Sequence, residues 1–78
     1  MYATIDIGTN TIILLIANKA IDGSMHVLHY ECLLVRLGER VSQTGYFLPE
    51  AITRAMQAMH KFKDIFMLQR YADVNLFT

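Results

Sequence analysis

Apolar and polar residues alternate from position 2 to position 7, with Ala3, Ile5 and Ile7 on one side and Tyr2, Thr4 and Asp6 on the other. That is the two-residue period of a β-strand. Gly8, Thr9 and Asn10 break the alternation and predict a turn. Residues 11–18 follow with three isoleucines and two leucines. A run this apolar predicts a strand covered on both faces and central in its sheet. Asp22 and Gly23 both tolerate positive φ, so they predict a hairpin that leads into a third strand over residues 25–35, antiparallel to the second.

Between residues 36 and 48 glycine, serine, glutamine, threonine and charged residues take over, with Gly38 and Gly45 as turning points, so this stretch predicts a loop running back across the sheet. Pro49 and Glu50 then open a helix: proline gives up nothing at the first helical position, and a carboxylate suits the positive end of the helix dipole. Ile52, Met56, Met59, Phe62 and Phe66 recur at helical spacing and predict the face that packs on the sheet. No glycine or proline interrupts this helix, expected over residues 49–70. Residues 73–77 predict the start of a fourth strand. The result is a β-β-β-α-β pattern of the α/β class, a mixed sheet with one long helix on one face, and the other face left bare.

Length and composition sharpen this picture. Seventy-eight residues form one small domain, and 54% hydrophobic against 18% charged residues is too apolar for disorder. Part of that apolar surface is expected to meet a partner or a missing carboxy-terminal portion. Seven basic residues balance seven acidic ones, so no basic field favours nucleic acid. The single Cys32 excludes an intramolecular disulfide and a multi-cysteine zinc site, and predicts a reducing, cytoplasmic setting with the thiol buried as a small apolar group. The longest uncharged run near the start, residues 7–18, is too short to cross about 30 Å of hydrocarbon as a helix, and no basic segment precedes it. The chain therefore reads as soluble, not exported and without a membrane partner.

Candidate chemistry concentrates between Asp6 and Thr11. A carboxylate at the end of a strand, followed by a tight turn of small residues, gathers N–H groups and hydroxyls around an anion and leaves the carboxylate to hold a cation through water. The same spacing also suits a plain hairpin turn. His26 and His29, three apart on a strand, are expected on opposite faces and so unable to share a metal. Glu31 reads as a solvated strand-face carboxylate, and Lys61, Lys63 and Arg70 as a solvated basic face.

Asp6-Ile7-Gly8-Thr9-Asn10-Thr11, with Leu14-Leu15-Ile16 behind it, resembles the first phosphate motif of the exopolyphosphatase/guanosine pentaphosphate phosphatase family, within the actin-like and sugar-kinase-like ATPase superfamily. Asn10 sets it apart from sugar kinases and heat-shock chaperones, which usually carry a second Thr or Ser there. The resemblance continues through Val35-Arg36-Leu37-Gly38-Glu39, Thr44-Gly45 and Leu48-Pro49-Glu50-Ala51-Ile52, and covers about residues 2–72. It implies that residues 1–78 are a truncated, amino-terminal ribonuclease-H-like subdomain of a Mg²⁺-assisted hydrolase. Such an enzyme cleaves terminal phosphoanhydride bonds of polyphosphate or guanosine pentaphosphate between two such domains. It would give Asp6 the metal, through water, would give Gly8, Thr9, Asn10 and Thr11 the phosphate, and would put Arg36 and Glu39 near the cleft.

Two departures stand out. Ile13 occupies a position where many relatives carry a basic residue. The Ala-Thr-Ser-Ala-like segment with its catalytic glutamate, and the second glycine-rich loop, are not among these residues, and Asn75-Leu76-Phe77-Thr78 diverges where the former should begin. The expectation is a piece with no catalytic residue, weak or absent Mg²⁺ binding and no useful hydrolysis. The competing reading is a non-catalytic module that self-associates, as a homodimer or larger assembly, through its bare sheet face or an edge strand.

Overall fold

Short turns make sequence neighbours into sheet neighbours. In the computed structural model, which describes residues 1–76, β1 (Tyr2–Ile7), β2 (Thr11–Lys19) and β3 (Met25–Leu34) form a three-stranded sheet in the order β1-β2-β3, antiparallel throughout. Over the described residues the sheet is thus antiparallel and not mixed. The β2–β3 turn is built as its residues require. Gly23 has φ 90°, and the Asp22 carboxylate accepts from the Ser24 amide at 2.9 Å and hydroxyl at 2.6 Å. These two bonds hold the Asp22 carboxyl below its ordinary range.

The register places Ala3, Ile5 and Ile7 on the same face as Ile12, Leu14 and Ile16. The last three are fully buried, whereas no residue of β1 is. β2 is central, as its composition requires, but only one of its faces is closed: Ile13 and Leu15, on the other, are half-buried. One helix can cover only one side of a sheet.

That helix, α2 (Pro49–Leu76), differs from expectation in phase and in length. Ala51, Ala58 and Phe62 are buried, with Ala55, Met59, Ile65 and Phe66 packed around them, while Ile52 and Met56 are about half exposed. The covered stripe is therefore turned relative to the one that starts at Ile52. Small alanines let the helix axis approach the sheet, Phe62 fills the space between them, and the bulkier Ile52 and Met56 stay on the flank. The helix also runs through the segment expected to become a fourth strand. Residues 73–76 are helical, and residue 77 lies outside the described residues. Nothing from Tyr71 to Leu76 breaks a helix, which satisfies its own hydrogen bonds, whereas a strand must find a partner.

Residues 36–48 are not all loop. A single turn, α1 (Val41–Thr44), follows Arg40 in the left-handed region (φ 59°) and ends at Gly45 (φ 76°), whose N–H donates to the Val41 carbonyl at 2.7 Å.

On β3 the register shifts between Ile16, opposite His29, and Ala17, opposite Val27, so Leu28 is an extra, bulged residue. The bulge overturns the two-residue count between the histidines: His26, opposite Asn18, comes to lie on the same face as His29. Even so, no group of three metal-ligating side chains forms among the described residues. Glu31 is not simply solvated. Its Oε2 lies 2.7 Å from Lys61 Nζ on α2, and its Oε1 lies 3.2 Å from His29 Nε2. Cys32 is exposed, not buried, because its side of the sheet carries no helix. None of the described helices is long and apolar enough to cross a membrane.

Candidate functional site

The Gly8-Thr9-Asn10 turn is fixed from two sides. Gly8 N–H donates to the Thr11 carbonyl at 2.9 Å and closes the β1–β2 connection. The turn's own carbonyls then point at the segment after β3. Thr9 O accepts Gly38 N–H at 2.8 Å, and Asn10 O accepts both Val35 N–H at 2.8 Å and Arg36 N–H at 2.9 Å. All peptide bonds here are trans, so each N–H points opposite to the carbonyl before it. The amides of Asn10 and Thr11 consequently face away from the 35–38 segment. Those of Thr9 and Asn10 make no hydrogen bond among the described residues.

Gly38 is present for closeness, not for its backbone angle. A Cβ built on it would lie 3.2 Å from Thr9 Cβ, so a larger residue would press on Thr9 and force the two segments slightly apart. Arg36 holds the left-handed conformation with φ 48°, an arrangement that L-residues adopt at a cost. Its surroundings fix it there: its N–H is tied to Asn10 O, and its carbonyl accepts Glu39 N–H at 3.1 Å. Its side chain is exposed.

Asp6 is opposite Ile13 on the helix-free face, exposed, and without a hydrogen bond or ion pair among the described residues. Thr11, two residues from Ile13 on β2, shares that face. The loop carboxylate, Glu39, behaves differently, since its Oε2 accepts Arg54 Nη2 at 2.6 Å. Of the two residues expected near a cleft, Arg36 thus presents a free-standing side chain, while Glu39 is held in an ion pair. The shallow groove between β3 and α2, lined in part by Leu33, Arg54 and Lys61, opens on the helix side. It is separate from the face that carries Asp6.

Arg54 is the residue that sequence reasoning passed over. Its Nε donates to Val35 O at 2.7 Å, and its Nη2 reaches Arg36 O at 3.3 Å as well as Glu39. A signal was available: Arg54 lies three residues after Ala51 and four before Ala58, a cation on the buried helix face that needs an acid nearby. It becomes visible only once the helix phase is known. Chemically, the assembly offers backbone donors and hydroxyls beside one accessible carboxylate. Such a set suits an anion with a hydrated cation, and among the described residues it includes no free carboxylate beside the turn other than Asp6.

No protein-family model matches the chain. Over 66 residues it is 44% identical to exopolyphosphatase 2 of Mycobacterium tuberculosis, in both strain CDC 1551 / Oshkosh and strain ATCC 25618 / H37Rv, a match that covers 81% of this chain and 21% of the relative. The crystal structure of the Aquifex aeolicus Ppx/GppA phosphatase, type II variant, superimposes with a TM-score of 0.81 at 26% identity, over 87% of this chain and 22% of that one. The chain spans about a fifth of the length of the proteins it matches.

Proposed function

Because this chain is, over that fifth of their length, a homologue of the exopolyphosphatase and Ppx/GppA phosphatases, we propose that it carries the first phosphate-binding turn of a phosphoanhydride hydrolase of the actin-like ATPase fold. The substrate class is inorganic polyphosphate or guanosine pentaphosphate. Thr9, Asn10 and Thr11 receive the terminal phosphate through their amides and hydroxyls. Gly8 serves the turn's geometry, because its N–H is already committed to Thr11 O. Asp6 suits Mg²⁺, which keeps most of its waters and is commonly held by one or two carboxylates; when bound, the ion neutralises phosphate charge. The observation that carries the reading is the pairing of an unpartnered, exposed Asp6 with a turn whose carbonyls are tied back, so that its amides face outward.

These 78 residues by themselves hydrolyse nothing at a useful rate, since hydrolysis needs a general base near the attacking water and a second clamp on the phosphates. Titration of ¹⁵N-labelled chain with tripolyphosphate and Mg²⁺ tests both statements. Amide shifts confined to residues 9–11, with the Mg²⁺ dependence lost in Asp6→Asn, and no phosphate release above an Asp6→Ala control, are the expected results. Absence of shifts removes the phosphate reading, and release clearly above the control removes the claim of inactivity.

A second reading, a non-catalytic module that self-associates, is favoured by one observation: the helix-free face presents Tyr2, Tyr30 and Leu34, each more than half exposed. It is compatible with the first reading and separable from it by mass measurements.

A further inference from the structure

We infer that Arg54 is a positioning residue for the phosphate turn, holding the 35–39 segment so that the Asn10 amide stays unpaired and directed outward. The inference rests on the phosphate reading above. Val35 N–H donates to Asn10 O, and in an antiparallel ladder such a pair normally exchanges both bonds, with the second running from Asn10 N–H to Val35 O. Here that second bond is missing. Val35 O instead accepts Arg54 Nε at 2.7 Å, the shortest of the guanidinium's backbone contacts. Arg54 satisfies Val35 O in place of that amide and holds the segment whose Gly38 N–H binds Thr9 O, so that the trans peptide between Thr9 and Asn10 keeps the Asn10 N–H turned outward as a donor for a ligand.

The rest of the contact set fixes the segment in place. Arg54 Nη2 binds Glu39 Oε2 at 2.6 Å and approaches Arg36 O at 3.3 Å, so one planar group spans both ends of the segment whose amides hold Thr9 O and Asn10 O. A guanidinium can do this because its donors sit on separate nitrogens of a rigid fork; an ammonium would have to make both bonds from one nitrogen on a flexible stem and would hold the segment less firmly. Arg54 comes from the first turns of α2, and its hydrogen bonds go to Val35, Arg36 and Glu39 and not to Asp6 or the turn, so it acts through the segment between them.

The test uses the ¹⁵N-labelled 78-residue chain as wild type, Arg54→Lys and Arg54→Met, with two readouts: tripolyphosphate affinity in Mg²⁺, and hydrogen exchange of the Val35, Arg36 and Gly38 amides. Loss of a charge-assisted fork predicts binding weaker by about tenfold in both variants, with exchange of those three amides faster by a similar factor. The Leu14 and Ile16 amides should keep wild-type protection, which shows that the sheet is intact. If Arg54→Met loses that protection, Arg54→Lys decides. Wild-type affinity in Arg54→Lys overturns the inference, since charge alone would then suffice. Wild-type affinity in both variants overturns it while the phosphate reading stands. If wild type itself does not bind tripolyphosphate although the three amides are protected, the phosphate reading falls and the inference with it.

Discussion

Gly38 shows how much a single hydrogen atom can decide. Its backbone is ordinary, yet an added Cβ would crowd the Thr9 side chain at 3.2 Å, and Thr9 is β-branched and has little freedom to turn aside. Gly38→Ala should therefore push the 35–39 segment off the turn and cost about 1–3 kcal/mol in chemical denaturation, the usual range for overpacking. A cost near zero would show that the two segments separate freely. At this scale the sequence was readable where residue type alone carries the message. Asp6 and the small residues after it stand out in any local reading. Gly38 was legible as a glycine but not as a contact, because its neighbour is about thirty residues away in the chain. Arg54 was illegible for a related reason, since its role depends on the rotational phase of a helix.

That phase is a property of the element. Alanines weigh little in a hydrophobic pattern, so the stripe through Ile52 and Met56 stood out, although Ala51, Ala55 and Ala58 form the contact. The strands were easier, since a two-residue period has only two possible faces and the turns between them were marked by Gly8 and Gly23. The bulge at Leu28 left no local mark, and neither did the continuation of α2 past Arg70, which depends on whether a strand partner is present. Packing of α2 on β3 also brings Lys61 to Glu31. Lys61's hydrogen bond first, and His29's after it, hold the Glu31 carboxyl below its ordinary value of 4.5. A lowered carboxyl contributes stability above the unfolded-state value, and that contribution disappears as pH falls through the folded-state value. Wild type should melt higher than Glu31→Gln at neutral pH, and the gap should close in strongly acidic buffer, below about pH 4. Thermal scans across that range check it, and a gap that persists in acid would mean that the pair does not set the pH dependence.

The molecule as a whole is slender, 52 × 22 × 13 Å, and exposes 5857 Å². A compact monomer of 8.9 kDa exposes about 4,800 Å². The excess of roughly 1,000 Å² fits an α2 that overhangs the sheet and a β1 that no helix covers. The self-association reading predicts that sedimentation equilibrium will show mass rising with concentration for wild type, and a monomer for Tyr30→Lys/Leu34→Lys. Both residues are more than half exposed, so neither change opens the core. A wild type that remains a monomer at high concentration sinks the reading.

The meander also orders events in time. Each strand pairs only with its neighbour in the chain, so the sheet forms by closing two short loops, on a scale of about microseconds each. Phe62, which fills the space above Ile12, Leu14 and Ile16, belongs to α2, which follows all three strands in chain order. During synthesis on the ribosome the sheet is thus translated before its cover, and its first hairpin is only marginally stable until the third strand and the helix have joined it. Until α2 has emerged to cover it, the nascent sheet keeps β2, its oiliest strand, open to water on the face that Phe62 later closes.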